Sequence, residues 1–163
     1  MGQANIVLRN PNSSDARTIF NWRNDCITRK MSLNQHEIKW EQHKNWFSNA
    51  IEDKTIQFIL VEDTSSGEGL SLIRFETHFD TAKVSIMVAP NHRGRGHAAK
   101  YLAQAIQKFL AKHIHTRTLI AVIRVENHAS IKLFTNLGFV FHREDLSVAT
   151  FHLELQKNSE HSK

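Results

Sequence analysis

Residues 88–110, VAPNHRGRGHAAKYLAQAIQKFL, restrict the fold more than any other part of the chain. Ile86 and Val88 close an apolar run. Pro90 has no backbone N–H and so ends a strand ladder. Gly94 and Gly96 permit a tight turn and a close approach that a Cβ would obstruct. From Ala98 onward Leu102, Ala105, Ile106, Phe109 and Leu110 recur at three-four spacing, which buries one face of a helix. Strand, basic glycine loop and helix in this order leave free N–H groups at a helix N-terminus, between Arg93 and Arg95. Such a terminus suits a phosphate or pyrophosphate. The spacing is not GxxxxGK[ST], since no Lys-Ser/Thr pair follows the glycines. Nor is it GxGxxG, since the third glycine is missing. A basic surface turn, or an RG contact to nucleic acid, would use the same residue types.

A chain of 163 residues is most simply one domain, placed here at residues 4–156 with a polar tail at 157–163. No apolar run approaches the roughly 20 residues of a membrane helix, so no membrane contact is expected. Residues 1–12 lack the apolar core of a secretory signal. The single cysteine, Cys26, cannot form an internal disulfide, which fits a reducing, cytoplasmic setting. A net charge of +5 suits an anionic small ligand and is low for a dedicated nucleic-acid binder. The 11 histidines are scattered, with no HExxH and no Cys-His cluster, so no metal is expected. His113 and His115 could share a strand face, but no third ligand accompanies them.

In chain order, residues 5–9 alternate as a short strand, and 10–14 form a turn cluster that can cap a helix. Residues 15–30, with Ile19, Phe20, Trp22 and Ile27, read as one broken helix or two short ones. A further helix opens near Asn34 and runs to about Glu52, with Trp40, Phe47 and Ile51 at helical spacing. Residues 55–62, 70–79 and 83–88 are strands. Residues 117–125 form a near-continuous apolar run, as in a central strand covered on both faces. Residues 127–136 are helical, ended by Gly138. Residues 139–142 and 149–155 complete the strands.

Two motifs carry a family resemblance. Arg93-x-x-Gly96-x-Ala98 after a strand end resembles the acetyl-CoA pyrophosphate loop of the GCN5-related N-acetyltransferases (GNAT). One strand later, Asn127, Ser130, Leu133, Phe134, Gly138 and Phe139 resemble the family's second motif. The element order is that of the GNAT fold. It implies an α/β (α+β) architecture with a mixed, mostly antiparallel sheet of about seven strands and about four helices. It also implies a splayed V between the fourth and fifth strands. The resemblance assigns the coenzyme acetyl-CoA, and no metal, to this chain. Backbone groups around Met87 and Val88 would bond the pantetheine arm and thioester oxygen. Backbone N–H groups of Gly94, Arg95, Gly96, His97, Ala98 and Ala99, beside Arg93, would hold the pyrophosphate. Asn127, Ser130 and Phe134 would line the groove.

The chain departs from the family pattern at two places. Phe134 stands where many relatives carry a Tyr acid, and Val122 where some carry a carboxylate base. Thiolate is a tolerable leaving group unaided, with a thiol pKa of roughly 8.5. Candidate bases are Glu76 and His78, which share a strand face with Arg74, and Ser85; Glu126 is a further carboxylate after the fifth strand.

In this fold the N-terminal third selects the acceptor. The series Trp22-Arg23-Asn24, Arg29-x-Met31 and His43-x-x-Trp46-Phe47 resembles the nucleotide-sugar branch, in which an amino sugar on UDP or a similar nucleotide is N-acetylated. Trp22 and Trp46 offer ring faces, Arg23 and Arg29 forks for a diphosphate, and Asn24 and Met31 flank them. Trp22, Trp46 and Phe47 would also suit the core face of amphipathic helices, and Phe47 reads first as core. The expected partner is a small-molecule amine acceptor, bound by a monomer or homodimer. A protein acetyltransferase of the ribosomal-protein type is the alternative, since Leu8, Arg9, Asp15 and Trp22 follow its opening pattern. A module that holds acyl-CoA without turnover is the third.

Overall fold

The computed structural model describes residues 5–155. The expected tail at 157–163, and positions 4 and 156 of the expected domain, lie outside the described residues. Strand β1 (Ile6–Arg9) leads into a single 3-10 turn at Ser13–Asp15. Asn12 accepts from the Ser14 N–H, and Asp15 returns a carboxylate to the Asn12 N–H. Arg9 then forks onto Asp15 and Glu62, which fixes the start of the chain on the sheet.

The expected broken helix is two helices, α1 (Ala16–Asn24) and α2 (Cys26–Met31). Asp25 makes the break. Its backbone is extended (φ −56°, ψ 138°), and its carboxylate caps α2 through the Thr28 N–H at 3.0 Å. The next helix, α3 (Trp40–Glu52), begins later than its sequence suggests. Asn34 accepts from the His36 N–H in a local turn that competes with helix formation. The Asn24 carboxamide also donates to the Ile38 carbonyl and accepts from the Ile38 N–H, holding residues 32–39 as a strap.

Four strands follow the first: β2 (Ile56–Asp63), β3 (Gly69–His78), β4 (Thr81–Val88) and, after helix α4 (Ala98–Leu110), β5 (Thr118–Arg124). Helix α5 (His128–Asn136) and the hairpin β6 (Val140–Asp145) and β7 (Val148–Glu154) complete the chain. Five helices thus flank the sheet, one more than expected, because Asp25 divides the first. Gly138, at φ +91°, ends α5 as its position suggests. His113 and His115 fall in the turn between α4 and β5 instead of on a strand. His113 stacks on Phe109 and bonds Gln57.

The sheet order is β1-β2-β3-β4-β5-β7-β6. Every neighbouring pair is antiparallel except β4 and β5. One face carries α4 and α5 over Ile73, Phe75, Val84, Leu119, Ala121 and Phe151. The other carries α1 and α3 over Phe58, Leu60, Leu72 and Ala89. This second core includes no β5 residue. Strand β5 therefore alternates: Leu119, Ala121 and Ile123 are buried, while Ile120, Val122 and Arg124 are only partly covered. The expectation of a strand covered on both faces is corrected, because α1 and α3 stop short of it.

Candidate active site

Strands β4 and β5 pair in parallel only at Thr81–Thr118, Ala82–Leu119 and Lys83–Ile120. Beyond this ladder β4 stays with β3 and β5 with β7, so the sheet splits into a V open toward the loop after β4. The backbone that faces the split follows from strand alternation. The Ala89 N–H donates to Leu70, and the Met87 carbonyl accepts from the Ser71 hydroxyl, both toward β3. Ile86 and Val88, one residue out of phase, turn their N–H and C=O groups to the split. The expectation for Val88 agrees with this geometry. That for Met87 is corrected, and Ile86 takes its place. Only the pairing register, which sequence does not give, shows this.

The loop beyond the split is built as its glycines require. Gly94 and Gly96 have φ of +73° and +78°, with open space where a Cβ would stand. The conformation, not crowding, selects glycine. Helix α4 then starts at Ala98 with no side-chain cap, and its first backbone bond runs from the Tyr101 N–H to His97. The N–H groups of Ala98, Ala99 and Lys100 are thus without intrahelical partners. Arg95 stands exposed beside them and makes no ion pair among the described residues. Arg93 differs from expectation. Its guanidinium turns to α2, pairing with the Asp25 carboxylate at 2.7 Å and with the Thr28 hydroxyl.

On the second motif, Asn127 caps α5 through the Ser130 N–H at 3.1 Å. Its amide nitrogen has no partner among the described residues. Phe134 is 3% exposed and packs edge-on against Phe139, so it is a core residue and offers no wall to a ligand. The groove role expected for it is corrected.

Arg74, Glu76 and His78 do share one face, with Leu72, on the side of α1 and α3. Their positions differ. Ser85 opposes Arg74 just past the ladder, and Glu76 opposes Lys83 at its last rung. Both stand at the vertex of the V, and Glu76 lines a cleft of about 450 Å³ together with His78, Thr81, Lys83 and Ile120. His78 opposes Thr81 at the hairpin, on the side of the ladder remote from the split. It lines the same cleft as Glu76 but lies farther from the split. Glu76 is ion-paired with Arg74.

Of the acceptor residues, Trp22 is 8% exposed and lies against Gly69, where a Cβ would come within 2.9 Å of its ring. It is core. Asn24 is consumed by Ile38. Trp46 packs edge-on to Phe58 of β2, two strands from the split. The expectation for Trp46 is corrected; Trp22 and Asn24, although held in this way, line a cavity of about 370 Å³ with Asn21, Asp25, Ala89 and Pro90 at the end of β4. Phe47, at 1% exposure, is core as read. Met31 ends α2 partly buried. Arg23 and Arg29 remain. Arg23 donates to the Asn34 carbonyl at 2.6 Å, while its Nη1 is buried without a partner. Burial first, and the Arg29 charge second, push its guanidinium below the ordinary value. The Arg29 Nε is likewise buried and unpartnered, with Glu37 no nearer than 3.8 Å. A third orphan is Arg124 Nε on β5, whose Nη2 bonds Glu126 at 2.8 Å. Sequence reasoning passed over Arg124; its signal is a lone cation closing an apolar strand.

The motifs, the split sheet and the uncapped α4 terminus agree with a match to the acetyltransferase (GNAT) domain model over residues 5–140. The chain belongs to the GNAT acetyltransferase family. Residues 5–140 are an acetyl-CoA-dependent N-acetyltransferase domain. GNAT relatives are distant. The putative phosphinothricin acetyltransferase YwnH of Bacillus subtilis is 28% identical, over 82% of this chain and 83% of its own. Acetyltransferase PseH of Campylobacter jejuni is 24% identical, over 82% of each. The uncharacterized protein MJ1062 of Methanocaldococcus jannaschii is 25% identical over 82% of this chain, which spans only 28% of that protein. Among solved structures, a spermidine N-acetyltransferase from Vibrio cholerae in complex with CoA and spermine shares the fold. Its TM-score is 0.81 at 19% identity, covering 91% of this chain and 95% of that one.

Proposed function

We propose that the protein transfers acetyl from acetyl-CoA to the amino group of a small acceptor carrying phosphate, of the nucleotide-linked amino-sugar class, in the cytoplasm. The observation that carries this reading is the Arg23–Arg29 pair. The Arg29 charge disfavours the charged form of Arg23, and each guanidinium has one buried nitrogen without a partner among the described residues. Leaving buried cationic donors unpaired costs stability, and an anionic acceptor would offset that cost. A cationic acceptor would add to it.

In this reading the pantetheine arm lies in the split. The N–H of Ile86 or Val88 polarises the thioester carbonyl as charge builds on its oxygen. The pyrophosphate rests on the N–H groups of residues 96–100 with Arg95 beside it. Asn127 and Ser130 border the arm. The neutral amine attacks the carbonyl carbon, the C–S bond breaks, and the amine proton passes through water toward Ser85 or Glu76. CoA leaves as thiolate, so no acid is needed at position 134. An amino-sugar amine suits a site without a strong base, since α-amino groups titrate near 7.7–8.0 against about 10.4 for lysine. The fully exposed β6 is the edge on which a homodimer would form.

The test is thiol release from acetyl-CoA with nucleotide-linked amino sugars, basic peptides and polyamines as acceptors. Turnover on the nucleotide sugar is expected, with Arg23→Gln and Arg29→Gln each raising its KM roughly tenfold or more and leaving the acetyl-CoA KM little changed. Turnover on peptides or polyamines alone refutes the acceptor class. Coenzyme binding without turnover on any amine indicates a non-catalytic module.

A further inference from the structure

Helix α2 is tied at its start to the loop that follows β4. At its start, the Asp25 Oδ2 accepts from the Thr28 N–H at 3.0 Å and from Arg93 Nη2 at 2.7 Å. The same Arg93 nitrogen donates to the Thr28 hydroxyl. Arg93 directly precedes Gly94, the first residue of the loop with positive φ. One carboxylate thus serves as cap of α2 and as anchor of the coenzyme loop. Asp25 is 22% exposed and Arg93 26%, so the pair is largely enclosed by the elements it joins. Burial acts to raise the Asp25 carboxyl, but the Thr28 N–H and Arg93 outweigh it and hold it below its ordinary value.

We infer that Asp25 is a positioning residue that couples occupation of the coenzyme loop to the order of α2, the helix that carries Arg29. Arg93 then acts through α2 and not as a pyrophosphate ligand. When the loop closes on a pyrophosphate, Arg93 is held in place and clamps the first turn of α2. When the loop is empty, that turn is free to fray. The inference rests on the coenzyme half of the proposed function and is independent of the acceptor class.

The probe is CoA, and the readouts are its Kd and hydrogen exchange across residues 26–32 of the full chain. The variants are Asp25→Asn, Arg93→Gln and their combination. Asn caps as well as Asp, so Asp25→Asn removes the ion pair and keeps the helix start. In the wild type CoA is expected to slow exchange in α2. In each single variant that slowing disappears, while residues 96–102 remain protected. The Kd rises roughly three- to tenfold in either single variant, and the double variant is no weaker than Arg93→Gln. Asp53→Asn, which removes a carboxylate remote from the split, is expected to keep the coupling. Protection of α2 by CoA that survives in Asp25→Asn overturns the inference, as does an additive double variant. So does tighter CoA binding by Asp25→Asn, which would mean that Asp25 withholds Arg93 from the pyrophosphate. Absence of CoA binding by the wild type overturns both this inference and the coenzyme reading beneath it.

Discussion

Phe134 shows how one side chain can be read correctly for what it lacks and wrongly for where it lies. It has no hydroxyl and cannot be the acid, which the sequence states. It is also buried against Phe139, which the sequence does not state. Phe134→Tyr is therefore expected to lose stability without gaining rate. The new hydroxyl enters a dry core with no partner, at a cost of about 1–3 kcal/mol. Urea unfolding with turnover measured in parallel checks this; a stable, faster variant would refute the burial argument. Trp22 and Asn24 each serve two ends. Their residue types fit a ligand and they line the cavity beside Ala89, while Gly69 and Ile38 hold them in place across long stretches of chain. The pattern of Leu8, Arg9, Asp15 and Trp22 that suggested a protein acetyltransferase is also spent on structure. Arg9 binds Asp15 and Glu62, and Trp22 is core, so it carries no acceptor information. Arg23 and Arg29 remain because one buried nitrogen of each, Arg23 Nη1 and Arg29 Nε, has no partner among the described residues.

Elements whose residues make their own case were legible. Helix α4 begins and ends where its periodicity places it, because the pattern, the glycines and Pro90 all agree. The strap at residues 32–39 was not legible, because it is held from outside by Asn24. Asn24→Ala removes a two-way clamp on Ile38 and is expected to destabilise the protein by roughly 1–2 kcal/mol. Proteolysis should then cut first within residues 32–39, and an unchanged cleavage pattern would show that the strap is held by something else. The register of β4 was equally out of reach. Alternation says that half its backbone groups face the split, and the bonds from Ala89 to Leu70 and from Ser71 to the Met87 carbonyl say which half.

Across the whole molecule, pH acts through histidines that burial keeps neutral. His43 is 1% exposed among Phe20, Trp40, Trp46 and Phe47; its Nε2 lies 3.0 Å from the Ala16 carbonyl, and its Nδ1 has no partner. Burial lowers its pKa, and the Arg23 charge adds to that, against the raising effect of the Ala16 carbonyl. His113 and His152 are lowered too, chiefly by burial. The unfolded chain protonates these groups below about 6.5 while the folded chain does not, so stability falls as pH drops from there toward the lowered values. Carboxylates held down, such as Asp15 beside Arg9, lose their contribution only further toward acid. The melting temperature is expected to decline between pH 7 and 5.5, and His43→Gln should flatten that decline. An equal slope in the variant would remove His43 from the account.

The short ladder between β4 and β5 has a mechanical consequence. The sheet is in effect two panels, β1 to β4 and β5 to β6, hinged on three rungs. The Arg117 N–H adds a bond to the Asp80 carbonyl at the closed end, while toward the loop after β4 the facing edges share no backbone bonds among the described residues, and α4 bridges the gap in sequence. A guest whose amides run along both free edges would act as a missing strand, stiffening the hinge from within. Such a molecule would be cargo for the chemistry and, while it stayed, a structural member of the host.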